Sequence, residues 1–558
     1  MRRLLPVLLL AACAPLTAAT LDVAWLRDGK FASTQLHQGG TAMSMVDADT
    51  EVPLGSLWKL FVYLYAVDTG LPMPDYHCTG RLPDESYCCE AGGSVDRNAA
   101  LAQSCGLFFA PDRLMLSRAP WQRYWTGRLR AALAGEFAWM ADPAQLSPGR
   151  IVRLGSLLRV LDAVSPASRA EAEAALLRVV LDGRGADTVR WFGSRLRVKT
   201  FSWHQPARPK ERLGGAAGWL ADGTPIWFAG SDTSSGIFQR WAPHLAAALP
   251  PVGDAADSGC VVVDFFTRYP VRGVRGPNGP AAPGPLNGRY VVEFENGKRL
   301  AFRSTGEMTL AVDSGGRPRV QGRFGVNEYV GRVLDREGNA AQPEAAKALA
   351  VAARTYLQQN ARLAASCQQI NDSSATQRVS PNPASAGALS IARWTDRLVI
   401  EGTPVTYHRD SPAPGRLAWT QAVEEARAGR WFDAILAQAY PNGVLGTSAV
   451  GGQRCQRLHD NEEWLSRMLP RWERVLGTQP GYERPAQLPL VCALAAGAPY
   501  SEQSRNRIFM RPLATREDRI TLAHEYVHIG LRRHPRGHDE AYVEQLARRL
   551  ADLNLERL

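Results

Sequence analysis

Beyond its first dozen residues the chain has no apolar run long enough to cross a bilayer, so membrane-spanning helices are not expected. It has no Cys-X-X-Cys pair, which excludes a zinc ribbon. No Lys/Arg block and no interleaving of basic and aromatic residues is present, which argues against a nucleic-acid partner despite a net charge of +11. That charge, with a pI of about 9.3, suits acidic surfaces such as anionic lipids or wall polymers, or reflects a generally basic proteome. No internal repeat is found. Histidine is scarce, at ten in 558 residues. What is present is ordinary for folded protein: 45% hydrophobic, 21% charged and 15 Trp. At 558 residues the chain exceeds what one core supports, and three or four domains are expected.

The N-terminus carries Arg2 and Arg3 ahead of a nine-residue apolar run, Leu4 to Ala12. This is the pattern of an export signal. Two cleavage readings stand side by side. Leu10-Ala11-Ala12-Cys13 resembles a bacterial lipobox, with Cys13 the lipid-bearing residue, whereas Thr17-Ala18-Ala19 resembles an ordinary signal-peptidase site. The first tethers the protein to the outer membrane and the second leaves it free in the periplasm. Setting Cys13 aside leaves eight cysteines, Cys78, Cys88, Cys89, Cys105, Cys260, Cys367, Cys455 and Cys492. An even number in an oxidising compartment predicts disulfides. Two local bridges among the first four and a Cys455–Cys492 loop are expected; the remaining connectivity is open.

Gly273 to Asn287, GVRGPNGPAAPGPLN, reads as a linker or extended loop, and Asn442 to Gly452 as a second break. They divide the chain into an export signal (1–19) and parts at 20–272, 285–450 and 451–558. Helical spacing covers Asp162–Leu181, Pro343–Leu363 and Glu462–Leu476. Strands are expected at Arg195–Trp203, Thr224–Ser231, Tyr290–Glu295, Arg299–Ser304, Met308–Val312, Pro489–Leu494 and Asn506–Met510.

Three stretches carry chemistry. In the first part Ser56 and Lys59, three apart in EVPLGSLWKLFVYLYAVD, share one face of a helix that is apolar nearly all round. A buried lysine held neutral can serve as the serine's base. The bland alternative is a helix cap beside a surface lysine. Ser104-Cys105-Gly106 and Lys199-Thr200-Phe201 follow in order. This succession, over about Asp22 to Leu249, resembles the penicillin-binding proteins and serine β-lactamases. The resemblance implies Ser56 as nucleophile, Lys59 as its base, Ser104 as proton shuttle, and Lys199 with Thr200 as a carboxylate-binding pair. Gly106 stands where that family has Asn, and Phe201 replaces a Gly that lets substrate lie against the strand. Both departures weaken the expectation of ordinary transpeptidase activity.

In the second part, PEAAKALAVAARTY resembles the domain of sporulation stage II protein D and the amidase enhancers, with INDSSATQRVSP a looser match. That family includes lytic transglycosylases that cut wall glycan with one acid. Counting back ten residues from Lys347 places the acid at Glu337. A single buried carboxyl can protonate a glycosidic oxygen. Otherwise Glu337 is a loop acid in a glycan-binding domain, and Glu344 serves the helix dipole.

In the third part, ITLAHEYVHIGLRRHPRGHDEAYVEQLARRL holds His524 and His528 one helical turn apart with Glu525 between them. Two imidazoles on one helix face can reach one ion, and the glutamate can take a proton from water. With so few histidines, a chance HExxH arises in about one chain in a hundred of this composition. The pattern resembles zincin metallopeptidases, and implies Zn2+ as cofactor with Glu540 as third ligand. His538 and Glu544 are the competing third ligands, and His534 falls in the turn with Pro535. The strand Asn506–Pro512 is expected to pair with a peptide substrate. Two surface histidines without metal is the alternative.

The whole layout resembles a family of predicted secreted bacterial proteins of the YfaQ type, whose relatives tend to be encoded beside α2-macroglobulin-like proteins, a pointer to a partner. The expected fold is multidomain α+β: a β-lactamase-like α/β sandwich, a mixed wall-hydrolase-like domain and a zincin-like α+β domain. The expected function is an exported envelope protein acting on peptidoglycan or envelope proteins, with a C-terminal zinc-dependent peptidase activity and diverged wall-recognition modules. The alternative is a non-catalytic scaffold that binds peptidoglycan.

Overall fold

The structure, a computed structural model, describes residues 19–553 apart from 38–39, 43–45, 181–186, 206–207, 251–258, 365–366, 375, 402, 404, 414, 442, 449–454, 495–498, 503–505, 533, 535 and 538. The lipobox at Cys13, most of the export signal and the alternative ligand His538 therefore lie outside the described residues. The architecture is multidomain α+β. Among the described residues no helix is long and apolar enough to cross a membrane.

The first region is built on a six-stranded antiparallel sheet. Its order is Gly40–Ala42, Lys30–His37, Thr20–Arg27, Pro225–Gly230, Arg208–Leu220 and Leu196–Gln205. Alternation along the strands splits their side chains between two cores. Leu21, Val23 and Phe228 pack on the helix Ser234–Ala248 through Phe238 and Trp241. Leu26, Trp219 and Trp227 face the opposite way, toward the helix Trp58–Thr69. That helix is buried from Trp58 to Ala66, which is why its sequence lacks a polar face. Two bridges, Cys78–Cys89 and Cys88–Cys105, close the loop that follows it. The expected long helical run at Asp162–Leu181 is interrupted. Ser165 accepts from the Ser168 N–H and Pro166 occupies the first turn, so a new helix, Pro166–Leu176, starts there.

The expected linker at Gly273–Asn287 is not a linker. It forms the strands Val271–Gly276 and Gly279–Pro280 and the start of Gly284–Phe294, at one end of an eight-stranded sheet. Pro280 and Pro285 lie at this margin, where a missing N–H costs little, and Gly279 turns the chain at φ 112°. The sheet continues through Arg299–Val312, Pro318–Phe324, Val261–Phe265, Cys367–Asn371 and Arg362–Ala364. Val261–Phe265 thus belongs to it although it precedes the expected boundary at 272. Arg299–Val312 is one strand where two were expected. The helix Pro343–Asn360, buried along most of its length, packs across this middle region. Cys260–Cys367 staples two parallel neighbours, Val261–Phe265 and Cys367–Asn371.

The first and middle regions share a seam. Val179–Val180 pairs with Val444–Leu445, so a three-stranded sheet takes its third strand from the first region. The Arg190 guanidinium donates twice to Asp433, at 3.0 and 2.7 Å. Trp191 meets Trp431 edge-on at 4.5 Å between ring centroids. The C-terminal region has a three-stranded sheet ordered Leu490–Ala493, Arg507–Met510, Tyr500–Glu502. Helices His459–Leu476, Arg516–Gly530 and Glu540–Asp552 pack around a core that includes Trp472, Tyr526 and Leu550, and Cys455–Cys492 pins its entry.

Candidate functional site

The helix Arg516–Gly530 starts at a capping box. Thr515 Oγ1 accepts from the Asp518 N–H, and the Asp518 carboxylate accepts from the Thr515 N–H. Ile520, Ala523, Val527 and Ile529 bury it. His524 and His528 emerge one turn apart on the same face. The chain then reverses direction, and Asp539 caps the returning helix Glu540–Asp552 by accepting from the Tyr542 N–H. Glu540, first residue of that helix, faces the histidine pair.

Each imidazole is held by its outer nitrogen. His528 Nδ1 lies 2.9 Å from the Gly537 carbonyl, and His524 Nδ1 lies 3.0 Å from Glu544 Oε2. With Nδ1–H donating, both Nε2 lone pairs point inward. The inner atoms converge: His524 Nε2 to His528 Nε2 is 3.1 Å, His524 Nε2 to Glu540 Oε2 3.1 Å, and His528 Nε2 to Glu540 Oε1 3.5 Å. Tetrahedral zinc with bonds near 2.0–2.1 Å separates its donors by roughly 3.3–3.4 Å. The observed spacing fits such an ion, and the His524/His528/Glu540 cluster can hold a metal. Glu544 orients His524. His534 stacks on Tyr542 at 5.3 Å and accepts from the Arg536 N–H, away from the cluster.

Glu525 is buried, and its carboxyl accepts from Ser501. Burial raises its pKa, and the neighbouring histidines oppose that rise. Ser501 belongs to Tyr500–Glu502, which corrects the expected docking strand. Arg507–Met510 is the central strand, flanked on both sides, and so has no free backbone for a peptide. The edge strand against the histidine helix is Tyr500–Glu502.

In the first region the structure brings Ser56, Lys59 and Ser104 together. Lys59 Nζ lies 3.3 Å from Ser56 Oγ, 3.0 Å from Ser104 Oγ and 2.7 Å from the Ser104 carbonyl. Ser104 holds its place at φ 66°, next to the bridged Cys105. Burial lowers the Lys59 pKa to about 8. Lys199, 2% exposed, falls further, to about 7, through burial and then the Lys59 charge. It donates to the Thr200 carbonyl at 3.1 Å. Phe201 packs so closely on Gly55, the residue before the serine, that a Cβ there would sit 2.8 Å from Phe201 Cβ. Gly106 lies against the Lys59 stem.

In the middle region Glu337 ends the helix Val326–Glu337 and accepts from the Arg378 N–H. Burial raises its pKa against that hydrogen bond, and Asp372 adds to the rise. Tyr329, Tyr356 and Tyr407 stand close enough to feel its charge. Gln377 links two of them, accepting from Tyr329 and donating to Tyr407 at 2.9 Å. Sequence reasoning missed this ring. Asp372 and Gln377 lie in the quoted INDSSATQ segment, but nothing marks the tyrosines, which are scattered between positions 329 and 407. Glu344 pairs with Lys347 and accepts from the Phe432 N–H, a structural post.

Residues 80–210 and 415–536 match the family described as predicted secreted protein (DUF2300). Residues 316–389, which include Glu337, match the stage II sporulation protein family. The chain is 43% identical over 522 residues, 92% of its length and 93% of the relative's, to the "Uncharacterized protein YfaQ" of Escherichia coli (strain K12). The chain belongs to the YfaQ family. Solved structures overlay it partially. The C-terminal domain of the Bacillus licheniformis BlaR penicillin receptor covers 42% of this YfaQ-family chain and 92% of its own, at 12% identity and TM-score 0.29. A class D β-lactamase from Fusobacterium nucleatum subsp. polymorphum covers 41% and 89%, at 12% identity and TM-score 0.28.

Proposed function

We propose that the protein is an exported envelope hydrolase acting at peptidoglycan or its peptides, with its principal chemistry a zinc-dependent peptide cleavage in the C-terminal region. The observation that carries this reading is the convergence of His524 Nε2, His528 Nε2 and the Glu540 carboxylate beside buried Glu525. His524, His528 and Glu540 would hold the ion, which supplies Lewis-acid activation of water and of a scissile carbonyl. Buried Glu525, beside the cluster, would take the water's proton and return it to the leaving amine. The Tyr500–Glu502 edge aligns an extended peptide by strand addition, with Ser501 holding Glu525. Export is supported by the N-terminal pattern and by the predicted secreted family.

Glu525→Gln is the test. Purified protein loaded with zinc is expected to lose peptide cleavage by about three orders of magnitude while elemental analysis still finds one zinc per chain. Cleavage retained in that variant sinks the peptidase reading.

A second activity has its own observation. Glu337 combines a burial-raised pKa with a ring of tyrosines, inside the segment that matches the stage II sporulation family. That arrangement suits a lone general acid on a glycosidic oxygen, active on the acid side of its raised pKa. The middle region is then a wall-glycan module that brings the peptidase to its substrate.

A further inference from the structure

A cleft of about 850 Å³ opens on the sheet of the middle region, lined by Arg275, Arg289, Arg299, Arg303, Glu293 and Asn382 among others. Its charge is lopsided, with four arginines against one glutamate. Glu293 is already taken by Arg299 at 3.1 Å. The remaining three arginines are exposed, and none has an ion-pair or side-chain hydrogen-bond partner among the described residues.

Register makes this more than loose surface charge. Arg289 and Arg303 are direct cross-strand partners, and Val291, two residues on from Arg289, is partnered by Arg275 on one side and Ala301 on the other. The period of two along a strand therefore puts Arg275, Arg289 and Arg303 on one face around Val291 and Ala301. Like charges directly opposite on a sheet destabilise it. A fold that places two guanidiniums opposite each other without an acid between them is arranged for an anion from outside. Guanidinium forks match carboxylates in paired hydrogen bonds. The small apolar floor between them fits the flat face of a sugar ring.

The cleft is tied to the acid site. Asn382 Oδ1 accepts from the Arg303 N–H at 2.9 Å, and four residues earlier the Arg378 N–H reaches Glu337. Four residues of chain span at most about 14 Å. We infer that this arginine face is a binding site for a carboxylate-bearing glycan strand, laid across the sheet so that an adjacent sugar reaches Glu337. The inference rests on the wall-glycan reading of the middle region and not on the peptidase.

The test uses the full-length protein, the paired variant Arg289→Ala/Arg303→Ala, and soluble muramoyl glycan chains in two forms, with free carboxylates and with those carboxylates amidated. Wild type is expected to bind the free-acid chains at least tenfold more tightly than the amidated ones. The paired variant is expected to lose that difference, to melt no lower than wild type, and to keep full peptide cleavage. Equal wild-type affinity for the two glycans overturns the proposal, as does an unchanged preference in the variant. Vesicles of one quarter phosphatidylglycerol in phosphatidylcholine are the third arm, and tighter binding to them than to the free-acid glycan overturns it in favour of a lipid surface. Loss of peptide cleavage in Glu525→Gln leaves all these arms readable, so the two readings fail separately.

Discussion

The serine–lysine site and the histidine–glutamate site are both built on a buried helix that presents two polar groups three or four residues apart, yet their surroundings treat them in opposite ways. At Ser56 the fold closes in. Phe201 lies against Gly55, and the Lys199 ammonium turns back to its own strand. At His524 the fold holds the rings from behind and leaves the front accessible, with the Glu540 side chain 75% exposed. A motif at the right spacing is a necessary condition only. The two sites differ in what stands around them: a buried ring against the residue before Ser56, and hydrogen-bond partners behind the two imidazoles.

That contrast can be broken from either side. The largest change is expected from Phe201→Ala, which removes a buried ring and costs about 3–5 kcal/mol of stability, read as a fall in the urea midpoint. The same variant is expected to label more strongly with fluorescent penicillin than the wild type does. Absence of label in a folded Phe201→Ala protein means Ser56 is inert for reasons other than crowding. Next comes Glu544→Ala, which unbraces His524. Zinc affinity is expected to drop about 10- to 100-fold in a competition titration with a chelator, and unchanged affinity would show that Glu544 is not a bracing partner.

The smallest effect concerns pH. Lys199 and Lys59 have folded pKa values of about 7 and about 8, below the unfolded lysine value. The unfolded chain therefore binds more protons than the folded one between those values and about 10, and stability rises with pH across that window. In Lys199→Met the rise in urea midpoint between pH 7 and about 9 is expected to flatten, and an unaltered slope would show that Lys199 does not carry a buried-charge penalty.

How far the sequence reached depended on range. The closeness of His524 to His528 and of Ser56 to Lys59 was legible because helix geometry fixes neighbours within a turn, whereas Glu540 came from the resemblance to zincins, and the structure sets its carboxylate beside the two imidazoles. Two local bridges among the first four cysteines were expected from their closeness in sequence, while their pairing, Cys78–Cys89 and Cys88–Cys105, comes from the structure. The failures were long-range or contextual. Gly and Pro in GVRGPNGPAAPGPLN read as a break because composition does not distinguish a linker from a sheet margin, where turns and missing donors are tolerated. Asn506–Pro512 reads as a docking strand in sequence, but Tyr500–Glu502 pairs along the flank of Arg507–Met510. The tyrosines around Glu337 converge only through the tertiary fold.

Val179–Val180 has a practical outcome for anyone dividing this protein. A fragment beginning near residue 259 would leave Val444–Leu445 with an open backbone edge, and Asp433 would lose its guanidinium. Such a piece is prone to self-associate through the vacated strand position, so its oligomers would report the cut rather than the native molecule. The first region supplies a strand that the middle region needs, and the two are best handled as one piece.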